Sequence, residues 1–129
     1  MTIKNQIEEV FKEAVEKNDI EAVALTSKNG IPIASFIKKE GENESFSTLS
    51  ATILGASEVI FSAFQKKHPE DILVRSDESI LLIKENTPDS VLSMMGRAED
   101  EKELLKIIDS ISKKVKDIRQ NSPGMEVGK

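Results

Sequence analysis

Apolar residues follow a helical rhythm in three stretches of the chain and a strand rhythm in five. Ile3, Ile7, Val10, Phe11, Ala14 and Val15 recur every three or four residues, with Glu8, Glu9, Lys12, Glu13 and Lys17 between them. That spacing predicts an amphipathic helix from about Thr2 to Asn18–Asp19. In Glu21–Ile37, two apolar runs flank Lys28-Asn29-Gly30. Asn and Gly both tolerate positive φ, so the segment predicts a β-hairpin. Pro32 cannot donate to a ladder, which puts the second of these strands at a sheet edge.

The stretch Ser45–Gln65 departs from the amphipathic pattern. It predicts one long helix, yet Glu58 is its only charged residue in a chain where 32% of residues are charged. On a wheel of about 100° per residue, Phe46, Leu49, Ile53, Ala56, Ile60, Ala63 and Phe64 form a broad apolar stripe. Ser47, Ala51, Gly55, Glu58 and Ser62 form a small, nearly uncharged back. A helix covering a small domain normally keeps a charged back. With the stripe assigned to the chain's own core, the small back is expected to meet another backbone at close range, in a second subunit or a partner. A bulky residue at Gly55 is then expected to break the dimer. Asn43 or Ser45 should cap this helix, and His68-Pro69 should end it, because the residue before proline disfavours helical geometry.

Asp71–Arg75 and Ser79–Lys84 read as strands joined by a tight turn at Ser76-Asp77-Glu78. Ser90–Met95, after a turn at Asn86–Asp89, reads as a fifth strand closed by Gly96. The four β-formers Ile80–Ile83 predict burial on both faces. Asp100 with Glu103 resembles a capping pair, and Leu104, Leu105, Ile108, Ile111, Val115 and Ile118 give the last helix its apolar stripe. The order helix-strand-strand-helix-strand-strand-strand-helix predicts an α/β (α+β) domain, a five-stranded antiparallel sheet with helices on both faces. The apolar fourth and fifth strands belong inside, so the first strand pairs with the fifth and the third is left at the second edge. Ile72, Leu73 and Val74 on a bare edge are an aggregation hazard unless covered. The same strand of a second copy would cover them and bring the two long helices side by side. Residues 1–120 form the domain, and 121–129 (NSPGMEVGK) are expected to be a disordered tail.

Composition narrows the chemistry. At 129 residues the chain supports one core without staples. The absence of cysteine excludes a disulfide framework and a thiolate metal site, and a single histidine excludes a multi-histidine zinc site. A formal net charge of −5 argues against nucleic acid, whose binding depends on neutralising phosphates. Without Trp or Tyr there is little stacking surface. No uninterrupted apolar run approaches the roughly 20 residues of a membrane span, and the N-terminus carries no apolar core of a signal. The expectation is a cytoplasmic protein with no membrane insertion.

No motif supplies a reaction. His68 would need a nucleophile and an orienting acid, and no G-x-S-x-G is present; a histidine on the negative end of a helix dipole is the ordinary account. Ser27-Lys28-Asn29-Gly30 lacks phosphate-loop spacing, and Glu40–Glu44 and Glu99–Glu101 lack the alternation of an EF-hand. Met94-Met95 fit core packing, and Lys113, Lys114 and Lys116 a solvated face. No catalytic, cofactor-binding or metal-binding residue is expected.

Glu21–Ser35 with its Asn-Gly turn, the small-residue helix Leu49–Phe64 and the hairpin Ile72–Ile83 together resemble the roadblock/dynein light-chain family, in its single-domain prokaryotic form. The resemblance spans about Ile3–Arg119 and implies a profilin-like roadblock fold. It also implies a homodimer, or a heterodimer with a roadblock paralogue, joined across the third strand and the long helix into one sheet. It further implies partnership with a small Ras-like GTPase, whose hydrolysis bacterial relatives stimulate by reshaping the switch region. Eukaryotic relatives scaffold GTPase pairs or serve as dynein light chains. Arg75, Arg97 and Arg119, the only arginines, sit in no arginine-finger motif, and activating relatives do without one. The expected function is a non-catalytic regulator or scaffold. Ser47, Ala51, Gly55, Glu58, Ser62, Ile72, Leu73 and Val74 are its expected dimer or partner surface. The alternatives are a structural adaptor in a cytoskeletal or motor-like assembly, and a small-molecule sensor with a roomy cavity between helix and sheet.

Overall fold

A computed structural model describes residues 1–39 and 43–121, with the backbone alone at 43 and 44. Most of the expected tail and the middle of the charged loop after Lys39 lie outside the described residues, as does any side-chain cap by Asn43. The elements are α1 (Ile3–Lys17), β1 (Ile20–Ser27), β2 (Pro32–Ile37), α2 (Asn43–Ala63), β3 (Asp71–Arg75), β4 (Ser79–Thr87), β5 (Ser90–Arg97) and α3 (Glu101–Gln120). Thr2 starts α1 by accepting the Asn5 N–H at 3.1 Å on its hydroxyl. Gly30, at φ 88°, closes the hairpin in a conformation that side chains resist. The sheet is antiparallel in the order β2-β1-β5-β4-β3, which leaves β2 and β3 at the edges as the strand pattern required.

The sheet divides two unequal cores. On one face lie α1 and α3, whose Ile7, Phe11, Leu104, Ile108 and Val115 pack on Val23, Leu25, Ile80, Leu82, Leu92 and Met94. On the other face α2 lies alone, chiefly over β1, β2, β5 and β4. The cluster beneath it is small: Ala51, Leu54, Ile83 and Val91, with Ile72 and Leu81 against them. Met95 is half-buried on this second face, while Met94 belongs to the larger core.

Two helix boundaries differ from expectation. Asp100 makes no side-chain cap; a single 3₁₀ turn at Ala98–Asp100 leads into α3 instead. At the end of α2, Pro69 is not the stop. Gln65 adopts φ 58°, Lys66 N–H donates to Phe61 O at 2.9 Å and Gln65 N–H to Ser62 O at 2.9 Å. This pairing of the last carbonyls is the Schellman arrangement, with glutamine where glycine is usual.

Candidate functional site

The long helix sits on the sheet by the face opposite to the one expected. Ser47, Ser50, Ala51 and Leu54 are buried beneath it, whereas Leu49, Ile53, Val59, Ile60, Phe61 and Phe64 are exposed, Val59 to 69% and Phe64 to 73%. The reason is in the strands. Ala22, Ala24 and Thr26 of β1 and Ser93 of β5 line the surface that receives α2, with Ala24 paired to Ser93 and Ser93 to Ile83. Small residues on a helix do signal close backbone approach; here the backbone they approach is the chain's own sheet. Ser47 and Ala51 are therefore interior to the protomer. The seat is only weakly adhesive, because the hydroxyls of Thr26, Ser47 and Ser93 are buried without a hydrogen-bond partner among the described residues.

Glu58 also belongs to the seat. Lys28 Nζ, from the hairpin turn, donates to Glu58 Oε2 at 3.0 Å and to Glu85 Oε2 of β4 at 2.5 Å. Burial by itself would lower the Lys28 pKa, but the two carboxylate hydrogen bonds outweigh it and the net shift is upward. Thr48 Oγ1 adds a bond to Gly30 O at 3.1 Å. The hairpin turn thus pins α2 at two points, and the turn's Lys28 was not visible as Glu58's partner from sequence because 30 residues separate them. Gly55 is half-buried with nothing within 4 Å of where a Cβ would stand, and Ser62 is exposed. A side chain at Gly55 therefore meets open space within the protomer.

The two sheet edges are treated differently. On β2, Pro32 offers no N–H, and the outward Ser35 N–H is taken by Glu8 Oε2 of α1 at 3.0 Å. Beside β3 no comparable cover stands among the described residues. Leu73 and Val74 are exposed, Val74 to 46%, and Ile72 packs against the cluster under α2. Val74, in register with Leu81, lies on the α2 side of the sheet and Leu73, in register with Leu82, on the α3 side; with the exposed face of α2 they leave apolar surface of a kind that marks interaction sites. By length and composition Ser45–Ala63 could also cross a membrane, which a count of uninterrupted apolar residues misses, because the interspersed Ser, Thr and Gly cost little. One side of it is nonetheless committed to the sheet.

His68 lies beyond the helix end, not in its last turn. Its Nε2 is 3.5 Å from Ser62 Oγ and its Nδ1 3.8 Å from Glu58 Oε2. The order serine–histidine–glutamate imitates a triad, but both separations are longer than proton transfer requires. Glu58 is held by Lys28, and Ser62 sits on an open helix surface. Between α2 and the sheet, Ala51, Leu54, Ile83 and Val91 pack against one another. Among the described residues no group of three or more acidic or histidine side chains could hold a metal.

Residues 6–95 match the Roadblock/LC7 domain family. The fold superimposes on the gliding protein MglB of Thermus thermophilus with a TM-score of 0.81 at 13% identity, covering 94% of this chain and 93% of that one. Myxococcus xanthus MglB gives 0.79 at 17% identity, over 91% and 90%. A Roadblock/LC7 domain from Streptomyces avermitilis gives 0.77 at 13% identity, over 85% and 94%. At these identities the likeness is one of fold. Comparison with curated proteins finds no match in sequence.

Proposed function

The chain belongs to the Roadblock/LC7 domain family, and on that footing we propose that it is a cytoplasmic, non-catalytic module that pairs with a second copy, or with a roadblock paralogue, and serves a small Ras-like GTPase as regulator or scaffold. One observation carries the reading: large apolar side chains of α2 lie exposed and the edge strand β3 is uncovered among the described residues, while Ser47, Ser50 and Ala51 join Leu54 in the interior. A lone protomer gains nothing from that arrangement, since burying each of those side chains is worth about 1.5–3 kcal/mol. Antiparallel addition of β3 to β3 and apposition of the α2 faces would cover both.

The site for pairing moves accordingly. Leu49, Ile53, Ile60 and Phe64 join Ile72, Leu73 and Val74, and Ser47, Ala51 and Glu58 leave it. A GTPase would meet a surface built by the pair and could be biased only through different affinities for its two switch states. The test has two stages. Light scattering should give a dimer mass at micromolar concentration. Addition to a Ras-like GTPase of the same genome should then show complex formation, with phosphate release telling regulator from scaffold. A protein that binds no such GTPase as a dimer would leave the adaptor reading in its place.

A further inference from the structure

The backbone of β3 fixes which of its groups face outward. Glu85 N–H donates to Glu70 O at 3.0 Å and Ser76 N–H to Ser79 O at 2.9 Å, and the register between them pairs Ile72 with Ile83 and Val74 with Leu81. In an antiparallel ladder the inward-bonding residues alternate, so residues 70, 72, 74 and 76 bond to β4. Asp71, Leu73 and Arg75 then turn their N–H and C=O groups away from the sheet. Their side chains share the α3 side, since Leu73 pairs with core residue Leu82. Asp71 has no ion-pair partner among the described residues. Arg75 is paired with Glu101 and donates to Ala98 O at 3.3 Å, from an exposed position.

This strand, Asp-Ile-Leu-Val-Arg, is antisymmetric in charge about Leu73. We infer that two copies of the chain join through β3 in one register, with the two-fold axis at Leu73 and Asp71 of each copy opposite Arg75 of the other. The inference rests on the reading of β3 as a self-pairing edge and specifies how the pairing is made. In this register each outward N–H and C=O of Asp71, Leu73 and Arg75 meets a complement, and two Asp–Arg cross-strand pairs form. The Arg75 guanidinium, with five donors, can serve Glu101 of its own chain and Asp71 of the other together.

The neighbouring registers of correct parity fail for stated reasons. Centring the axis on Ile72 sets Arg75 against Pro69, which has no N–H for the outward carbonyl. Centring it on Val74 sets Asp71 against Asp77, like charges face to face. Odd shifts present outward groups to inward-turned ones and put side chains on opposite faces. Charge thus selects a pairing that the apolar residues Ile72 to Val74 leave open.

The test is a charge swap read by sedimentation, with refractive-index detection because the chain lacks Trp and Tyr. Asp71→Arg and Arg75→Asp should each weaken the homodimer roughly 10- to 100-fold, since each replaces two attractive pairs with two repulsive ones. The double variant should return to within about threefold of wild type. Mixed together, the two single variants should form a heterodimer, because one strand then carries arginine at both positions and the facing strand carries aspartate at both. Circular dichroism confirms that each variant folds. If the wild type is monomeric at high concentration, the self-pairing reading itself is overturned. If the wild type is a dimer but the single variants dimerise equally well, or fail both alone and when mixed, the register is wrong while the dimer stands.

Discussion

Gly55 and Gly96 each follow a large apolar residue in sequence, yet they stand in opposite surroundings. A Cβ on Gly96 would come within 2.5 Å of the buried Leu104 side chain, and one on Gly55 would meet nothing within 4 Å. Gly96→Ala should therefore destabilise by about 1–3 kcal/mol through overpacking. Gly55→Ala should stabilise by about 0.5–1 kcal/mol through helix propensity; urea unfolding of both variants checks the pair. Lys28 gives a pH dependence. Its pKa is raised in the folded state from 10.5, so its contribution is complete below about that pH and fades as pH climbs through the elevated value. Lys28→Met should cost about 1–3 kcal/mol near pH 8. The gap to wild type should narrow above pH 10.5, as followed by denaturant midpoints across the alkaline range.

At the scale of the element, α2 reverses the usual division of labour. Apart from Leu54, the side chains that seat it on the sheet are small and most of its large ones face outward, which gives two substitutions opposite signatures. Ala51→Leu should overpack the narrow seam above Ile83 and Val91 and lower protomer stability by about 1–3 kcal/mol. Ile60→Lys should leave the protomer within about 0.5 kcal/mol of wild type while weakening self-association at least tenfold, since a charge replaces an apolar contact. Denaturant titration in dilute solution and sedimentation at higher concentration separate the two effects. Were Ile60→Lys to unfold the protomer and Ala51→Leu to spare it, α2 would sit as its apolar stripe first suggested.

For the whole molecule, the asymmetry of the edges matters most. β2 is closed by Pro32, Glu8 and the body of α1, and β3 is left open among the described residues. On the proposed pairing, growth of the sheet is directed to one side, which would yield a closed pair instead of a fibre. Because association stabilises the folded state by mass action, the melting temperature should rise with protein concentration, by roughly 2–6 °C per tenfold increase. Scanning calorimetry over two decades of concentration reads this directly. A constant value would mean that each protomer unfolds alone.

Elements, strand order and both edges were legible in the sequence, because apolar periodicity, Asn29-Gly30 and Pro32 act locally and a right choice of central strands follows from burial. Local signals also marked the small back of α2, with Ser47 and Ala51 on it, for close backbone approach. Which backbone they approach was not local information. It depended on Ala22, Ala24, Thr26 and Ser93 lining the opposing sheet face, and on Lys28 reaching Glu58 across 30 residues. A wheel identifies two faces of a helix, but the depth of the surface beneath decides which of them fits.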